Sequence, residues 1–192
     1  GRPKQQQKAV ADVVTSGNPI FEGWYADPEG IIYGDTYWVF PTWSDAYEKQ
    51  TYFDCFSSKD LMNWTKVGEI TPAPEADYEK KGLCAPGALV KDGKVHLFYQ
   101  TYGNGKKDAI CHAISDDGIH FRRNPTNPIF HPAGDWTCGR AIDAEVCEFK
   151  GRYFLYFATR DKNYDIQMQG VAVALGNTNF NREDWVQVTD SS

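Results

Sequence analysis

The chain of 192 residues is 41% hydrophobic and 24% charged, which is typical of a globular protein with a sizeable core and excludes a disordered chain. The net charge is −6 and Lys and Arg are not clustered, which argues against nucleic acid as a partner because phosphate backbones bind basic surfaces. The apolar runs are far shorter than the roughly 20 residues that span a bilayer, so no membrane partner is expected.

The first residues, 1–17, differ from the rest of the chain. They lack an initiator Met and an apolar stretch long enough for a secretion signal. We interpret residues 1–17 as an N-terminal extension of the folded unit. Any export signal has been removed or was never present, and we expect a secreted or periplasmic location.

The stretch GWYADPEG, residues 23–30, places Asp27 behind two aromatic residues, Trp24 and Tyr25. Asp-Pro followed by Glu-Gly is common turn chemistry, because proline presets φ and Asp can bond its own downstream backbone. Asp27 is therefore either an ordinary turn former or a reacting carboxylate carried by a turn. The rest of the chain has to distinguish the two.

Three segments repeat the pattern of a strand, a tight turn containing Gly and a second strand rich in aromatic residues, which predicts three β-hairpins. They are IIYGDTYWVFPTW, LVKDGKVHLFYQTY and CEFKGRYFLYFATR. The turn glycines are spaced by 59 and 58 residues, and three threonines near the hairpin ends have the same spacing. These residues are Gly34, Gly93 and Gly151, and Thr42, Thr101 and Thr159. Two independent markers therefore give one period.

A further pair of strands follows each hairpin. TYFDCFSSKDLMNWTKVG aligns with AICHAISDDGIHFRRN, with Ser58 over Ser115 and Trp64 over Phe121, and the third copy has a longer turn. Four strands per unit of about 58 residues is the plan of a β-propeller blade. We therefore predict an all-β fold, a β-propeller built of four-stranded blades.

Residues 18–192 form the predicted propeller, with blades at about 19–80, 81–138 and 139–192. Propellers close with about 4 to 8 blades, so three blades leave a wedge with open edges. We expect either a longer polypeptide or association with another chain to complete the propeller.

The blade plan brings the residues just before the first strand and just after the second strand to one face of the central channel. Before the first strand the blades carry Asp27-Pro28, Ala85-Pro86 and Asp143-Ala144, and after the second strand they carry Trp43, Tyr102 and Arg160. Aromatic faces stack on sugar rings, charged groups bind hydroxyls, and two carboxyls can divide acid and base work. This combination predicts a carbohydrate site. Ala85 indicates that the fold does not need a carboxylate in this turn.

Several neighbours of these positions have two interpretations. Trp24 and Tyr25 beside Asp27, and Trp136 and Arg140 ahead of Asp143, are candidates for substrate binding, with packing as the alternative. Glu145, on the same strand as Asp143, is better explained as a channel-lining residue than as a general acid. Four histidines without metal-type spacing, and five cysteines without a CxxC pair, predict structural roles and no metal or cofactor.

The segments NPIFEGWYADPEGIIYGDTYWVF, CAPGALVKDGKVHLFY and AIDAEVCEFKGRYFLYFA resemble the first three blades of glycoside hydrolase family 43. The order of the three motifs at blade spacing is the specific part of this resemblance. It implies a five-bladed β-propeller, of which about three blades are present. It also implies hydrolysis of α-L-arabinofuranosides or β-D-xylosides with inversion at the anomeric carbon.

The resemblance also implies residue roles. An Asp at the start of blade one is the family's general base, which corresponds to Asp27, and an Asp at the start of blade three orients the acid and tunes its pKa, which corresponds to Asp143. The general acid is a Glu usually contributed by the next blade. The chain stops before such a blade, so we expect the acid to lie beyond it.

Two alternatives remain open. A β-fructofuranosidase or glycoside phosphorylase shares the blade-one Asp, but fructosidases usually have Asn-Asp-Pro and Arg-Asp-Pro motifs. This chain has Ala26-Asp27-Pro28 and Ile142-Asp143-Ala144 instead. The second alternative is a non-catalytic sugar-binding module or inactive fragment that uses Trp43 and Tyr102 as stacking platforms.

Overall fold

A computed structural model of the chain describes residues 15–46 and 49–190. Within these residues, twelve strands form three four-stranded antiparallel sheets, which confirms the predicted all-β propeller with three blades. The predicted extension, residues 1–17, lies largely outside the described residues. The domain boundaries stay a prediction.

The strands follow one another in chain order within each blade. Blade 1 contains β1 (Tyr25–Tyr33), β2 (Thr36–Trp43), β3 (Phe53–Ser58) and β4 (Thr65–Ile70). Blade 2 contains β5 (Leu83–Lys91), β6 (Lys94–Thr101), β7 (Ile110–Ser115) and β8 (Arg122–Arg123). Blade 3 contains β9 (Ile142–Phe149), β10 (Arg152–Arg160), β11 (Gln167–Leu175) and β12 (Val186–Gln187). Because β1 packs against β5 and β5 against β9, the first strand of each blade is the inner one.

The predicted hairpins join the first and second strand of every blade through two-residue turns. Gly93 and Gly151 have φ of 72° and 74°, and each follows a residue that also has positive φ. Two consecutive residues of this kind are typical of a type I′ turn, which matches the right-handed twist of the paired strands. The glycines therefore supply the conformation that the repeat needs.

The outer strands of blades 1 and 2 are joined by the same hydrogen-bonded turn, as their alignment predicts. The Ser58 hydroxyl accepts from the backbone N–H groups of Asp60 and Leu61, at 3.2 and 2.9 Å. The Ser115 hydroxyl accepts from Asp117 and Gly118 in the same way, at 3.2 and 2.8 Å. The sequence repeat thus extends to the side-chain hydrogen bonds of the turn.

Two hydrophobic clusters fill the spaces between blades. The cluster between blades 1 and 2 includes Phe40, Phe53, Leu83, Val95, Leu97 and Tyr99. The cluster between blades 2 and 3 includes Phe98, Ile110, Leu155, Phe157, Ala172 and Phe180. Strand alternation sends neighbouring residues to opposite faces, so blade 2 contributes Leu97 and Tyr99 to one cluster and Phe98 to the other.

The inner strands share a β-bulge near their start. In β1 the pairing with β2 shifts between Ala26 and Glu29, and β5 and β9 shift at the corresponding points. The first bulge residue is left-handed in all three blades, with φ of 49° at Asp27, 52° at Ala85 and 53° at Asp143. A bulge of this kind bends the strand and redirects a side chain. The three positions that the sequence repeat aligned are therefore equivalent in backbone conformation.

Gly87 on β5 allows blades 2 and 3 to approach each other closely. A Cβ atom at this position would lie 2.5 Å from the carbonyl oxygen of Ala144 on β9. Backbone atoms cannot yield as a flexible side chain can, so any larger residue would push the two inner strands apart.

Two sheet faces are not covered by another described blade. Strand alternation places Phe149, Tyr156, Leu175 and Val186 on the face of blade 3 that points away from blade 2, with 48–65% of each residue exposed. At the other end of the wedge, Ile32 on blade 1 is 66% exposed. Exposed apolar side chains grouped on one sheet face are typical of an interface.

The thiols of Cys55, Cys84 and Cys111 are buried, as expected for small hydrophobic residues, whereas Cys147 is exposed on the open face of blade 3. No disulfide forms among the described residues. None of the helices in this part of the chain is both long and apolar enough to span a membrane.

His96 and His112 form a buried stacked pair, which agrees with their predicted structural role. Their ring centres lie 5.1 Å apart, and His96 Nδ1 lies 2.9 Å from His112 Nε2. The amide of Asn124 lies 3.0 Å from His112 Nδ1, so we assign Nδ1 as the acceptor and the Nε2–H of His112 as the donor to Nδ1 of His96. Burial lowers the pKa of His96 to about 4 and that of His112 to about 3.

The close approach at Gly87 generates a stability prediction. Gly87→Ala should lower the free energy of unfolding by about 1–3 kcal/mol, because the added methyl group overlaps backbone atoms. Gly30→Ala on β1 is the matched control, since its Cβ would meet its nearest neighbour at an ordinary 3.9 Å. Urea unfolding of both variants measures the difference, and equal losses would contradict the interpretation of Gly87.

The histidine pair generates a pH prediction. Both pKa values lie below the usual value of 6.5, so the pair favours the folded state above that pH, and this contribution is lost as the pH falls towards 4. By pH 5 we expect a loss of about 2 kcal/mol for each histidine in urea unfolding. His96→Gln should reduce this loss, whereas His131→Gln, at an exposed position, should leave it unchanged. A pH dependence that is identical in His96→Gln and in the parent would contradict the prediction.

Candidate functional site

The bulges of β1 and β9 carry the two predicted catalytic carboxylates to one end of the inner strands. The bulges of β5 and β9 are each supported by a side chain of the preceding blade. The backbone N–H of Ala85 donates to Thr42 Oγ1 at 2.9 Å, and the backbone N–H of Asp143 donates to Gln100 Oε1 at 2.8 Å. The position of Asp143 is therefore set by β6 as well as by its own strand.

The negative charge of Asp27 acts on the carboxyl of Asp143. Burial raises the pKa of Asp143, the negative charge of Asp27 raises it further, and Arg140 lowers it. Asp27 and Arg140 thus both lie close enough to Asp143 to act on its carboxyl, and the catalytic and binding roles of the three residues stay a prediction.

Hydrogen bonds hold the backbone on both sides of Arg140. The N–H of Cys138 donates to the carbonyl oxygen of Arg160 at 2.8 Å, and the N–H of Ala141 donates to that of Asp108 at 2.9 Å. Nη1 of Arg140 donates to the hydroxyl of Tyr164 at 2.5 Å. From this position the charge of Arg140 lowers the pKa of Asp143.

Tyr164 is a residue of this region that sequence reasoning missed. Its ring centre lies 4.5 Å from the Arg160 guanidinium and 5.6 Å from that of Arg140, so both predicted arginines contact one ring. Nη1 of Arg160 also donates to the Tyr164 carbonyl oxygen at 3.1 Å. Tyr164 lies in the loop after β10, on the face where the blade plan predicts Arg160, and this position in the sequence could have identified it.

The remaining aromatic candidates have different environments. Trp24 is 69% exposed directly before β1, and its carbonyl oxygen accepts from Ser44 at 2.8 Å. Trp43 stacks on Tyr52, with ring centres 5.3 Å apart. Tyr102 is partly buried against the cluster between blades 1 and 2. Substrate binding by these three residues stays a prediction.

Tyr25 and Trp136 make extensive packing contacts. The Tyr25 hydroxyl donates to the buried carboxylate of Asp54, and its ring packs edge-on against Phe21 and Phe56. Trp136 donates its indole N–H to the carbonyl oxygen of Ala133 at 3.0 Å and packs on the cluster between blades 2 and 3. Their role in substrate binding also stays a prediction.

Glu29 and Glu145 occupy corresponding positions, each two residues after the aspartate of its bulge. Burial and the neighbouring Glu145 raise the pKa of Glu29 to about 8. In residues 15–46 and 49–190, no group of three or more His, Cys, Asp or Glu side chains is arranged to hold a metal ion.

Comparison with known proteins gives a family match over most of the chain. The model of the glycosyl hydrolases family 43 matches residues 16–182. The β-D-galactofuranosidase of Aspergillus niger is 50% identical over an alignment that covers 79% of this chain and 48% of that protein. The chain therefore spans about half the length of this curated relative.

Two further similarities are more distant. A sucrose-6-phosphate hydrolase of Zymomonas mobilis is 26% identical, covering 86% of this chain and 33% of that protein. A solved β-xylosidase/α-arabinofuranosidase from a compost microbial metagenome, in complex with xylotriose, superposes with a TM-score of 0.64 at 16% identity, covering 91% of this chain and 60% of that chain. This likeness shows a shared propeller fold. The family match over residues 16–182 shows that the chain belongs to glycosyl hydrolase family 43.

Proposed function

We propose that the chain supplies two of the three catalytic carboxyls of an inverting glycosidase. Asp27 is the general base that takes a proton from water as the water attacks the anomeric carbon. Asp143 positions the general acid, a Glu that we place outside this chain. Trp24, Trp43 and Tyr102 provide aromatic faces for the sugar, while Arg140 and Arg160 bind its hydroxyls.

The repeated bulge is the observation that carries this proposal. Asp27 and Asp143 have the same left-handed conformation as Ala85, so the backbone does not require their carboxylates. Their charges interact, and Arg140 lies close enough to lower the pKa of Asp143. Two interacting carboxyls beside a fixed guanidinium fit hydrolysis of a glycosidic bond better than they fit a turn.

For the substrate we propose a furanoside or a β-D-xyloside. The relative from Aspergillus niger is named for β-D-galactofuranosides, and the metagenome enzyme for xylosides and arabinofuranosides. The ring of a β-D-galactofuranoside has the configuration of an α-L-arabinofuranoside and carries a longer side chain at C4. The arabinofuranoside class inferred from the sequence is therefore compatible with the activity of the relative.

The two open faces support the proposal that further blades complete the propeller. Phe149 and Leu175 at one end of the wedge, and Ile32 at the other, would be covered in a closed ring. These blades belong either to a longer polypeptide or to an associated chain, and one of them would carry the general acid. Secretion or a periplasmic location is part of the same proposal.

Asp27→Asn tests the assignment of the base. We expect kcat/KM to fall by about 10²- to 10⁴-fold on 4-nitrophenyl galactofuranosides, arabinofuranosides or xylosides, because the amide cannot accept the proton of water. Asn tolerates positive φ, so the bulge should persist and sugar binding should remain measurable by calorimetry. Asp92→Asn, at a turn residue with φ of 52°, is the matched control and should leave turnover unchanged.

The same experiment distinguishes the alternatives. It uses the complete polypeptide, so that the general acid is present. Turnover by Asp27→Asn at the rate of the parent would overturn the assignment of the base. If the parent binds sugars without hydrolysing any of the three glycosides, the chain is a sugar-binding module.

Tyr164→Phe tests the arginine cluster. The change removes the hydroxyl that accepts from Arg140 and keeps the ring that both arginines contact. Because the hydrogen bond involves a charged donor, we expect kcat/KM to fall by about threefold to tenfold. Tyr156→Phe, on the open face of blade 3, is the control. Equal kinetics of the two variants would exclude Tyr164 from the site.

A further inference from the structure

The turn between β3 and β4 of blade 1 leads into the tripeptide Asn63-Trp64-Thr65. Asn-X-Thr, with any residue except proline at X, is the acceptor sequence for N-linked glycans in secreted proteins of eukaryotic cells. The sequence has one other Asn-X-Thr stretch, Asn124-Pro125-Thr126, and its proline excludes it. Asn63 is therefore the single acceptor asparagine that the 192 residues offer.

The side chain of Asp60 organises this turn and orients the Asn63 amide. Its Oδ1 accepts from the backbone N–H of Asn63 at 2.8 Å, and its Oδ2 accepts from the Asn63 side-chain amide at 2.8 Å. Asn63 and Thr65 are exposed, and within residues 15–46 and 49–190 the amide makes no second hydrogen bond. An amide nitrogen has two N–H bonds, and a glycan replaces one of them. A glycosylated Asn63 can thus keep its hydrogen bond to Asp60.

The aligned turn of blade 2 shows that this turn needs neither an asparagine nor a threonine. His120 takes the place of Asn63, and its Nδ1 lies 2.6 Å from Oδ2 of Asp117. Oδ1 of Asp117 accepts from the backbone N–H of His120 at 2.8 Å, as in blade 1. Arg122 takes the place of Thr65. Blade 2 makes the same turn without an acceptor sequence, so the turn itself does not explain the acceptor sequence of blade 1.

The turn lies at the end of blade 1 opposite the candidate site. β3 ends beside the β1–β2 turn, where Lys59 forms an ion pair with Asp35 at 2.5 Å. Asp27 lies near the other end of β1, about 20 Å away along the strand by the usual rise per residue. β3 and β4 are also the outer strands of the blade. A glycan on Asn63 therefore lies at the outer rim of the propeller, away from the bulges that carry the aspartates.

Apolar side chains surround the acceptor. Leu61 is 48% exposed, and Trp64 is partly exposed, with its indole N–H donating to the Leu61 carbonyl oxygen at 3.1 Å. Sugar rings stack on aromatic faces through their C–H surfaces. The first sugars of a glycan on Asn63 would therefore have an apolar surface to cover.

We propose that Asn63 is an N-glycosylation site. The donor is an oligosaccharide joined through C1 to a lipid diphosphate. The Nδ2–C1 bond forms as the C1–O bond breaks, the lipid diphosphate leaves with the electron pair, and the amide gives up one proton. The inference rests on the proposed secretion and requires a eukaryotic cell. The 50% identical relative comes from the fungus Aspergillus niger, and fungi have this pathway.

Peptide mapping of the complete polypeptide from its natural source tests the site. An amidase that releases N-glycans converts the linked asparagine to aspartate, and in water labelled with heavy oxygen the new carboxyl carries the label. We expect the label at position 63, above the background of a sample without amidase. Asn124 is the matched control and should stay unlabelled, since its amide donates to the Phe180 carbonyl oxygen at 3.1 Å in the interior. An unlabelled Asn63 would overturn the proposal.

Two variants secreted by yeast as the complete polypeptide test the acceptor sequence. Thr65→Ser keeps the hydroxyl that the sequence requires and should keep the glycan, whereas Thr65→Ala should lose it. Both leave Asn63 in place. A glycan on Asn63 in Thr65→Ala would overturn the interpretation of the tripeptide.

The same two variants test the placement of the glycan, because they differ only in one hydroxyl and in the glycan on Asn63. Their kcat/KM values on the aryl glycosides should agree within about twofold, since a surface glycan at the far end of the blade does not meet the substrate. A larger difference would overturn this placement. Failure of the proposed function is a separate result, because full turnover by Asp27→Asn would leave the peptide map unchanged.

Discussion

The rest of the site depends on a left-handed residue inside a β-bulge at the start of each inner strand. For an alanine this conformation is unfavourable by roughly 1–2 kcal/mol, yet Ala85 adopts it as Asp27 and Asp143 do. Local preference therefore does not explain the bulge, and the packing of the blades imposes it. The hydrogen bond from the Ala85 N–H to Thr42 is one contact that holds it. The same bulge occurs in all three blades, and its first residue is an aspartate only in blades 1 and 3.

The supports of each bulge come from the blade before it. Thr42 of blade 1 binds the backbone of blade 2, and Gln100 of blade 2 binds the backbone of blade 3. By the same rule, the support of Asp27 belongs to whichever blade precedes blade 1 in a closed ring. In the closed propeller that we propose, the preceding blade would therefore help to position Asp27 and would cover the apolar face at that end of the wedge.

The features that the sequence predicted correctly are local and periodic. Hairpins with Gly93 and Gly151 in their turns, the four-strand plan and the equivalence of Asp27, Ala85 and Asp143 all follow from one repeat of about 58 residues. A repeat shows which positions of the blades are equivalent, but it does not show which side chains pack against one another between the blades. The contacts of Tyr164 with Arg140 and Arg160 join separate segments, which a period does not encode. The packing of Tyr25 against Phe21 and Phe56 is of the same kind, because strand alternation alone does not tell which face of a blade is covered.

Blade 2 explains why the carboxyls of blades 1 and 3 can interact at all. The corresponding triplets are Asp27-Pro28-Glu29, Ala85-Pro86-Gly87 and Asp143-Ala144-Glu145. Blade 2 has a small residue at both positions where its neighbours have an acid, so it adds neither bulk nor charge between them. The charge of Arg140 lowers the pKa of Asp143 and so opposes the effect of Asp27 on it. Four acids on two blades can share one end of the channel because the blade between them contributes only backbone and a methyl group.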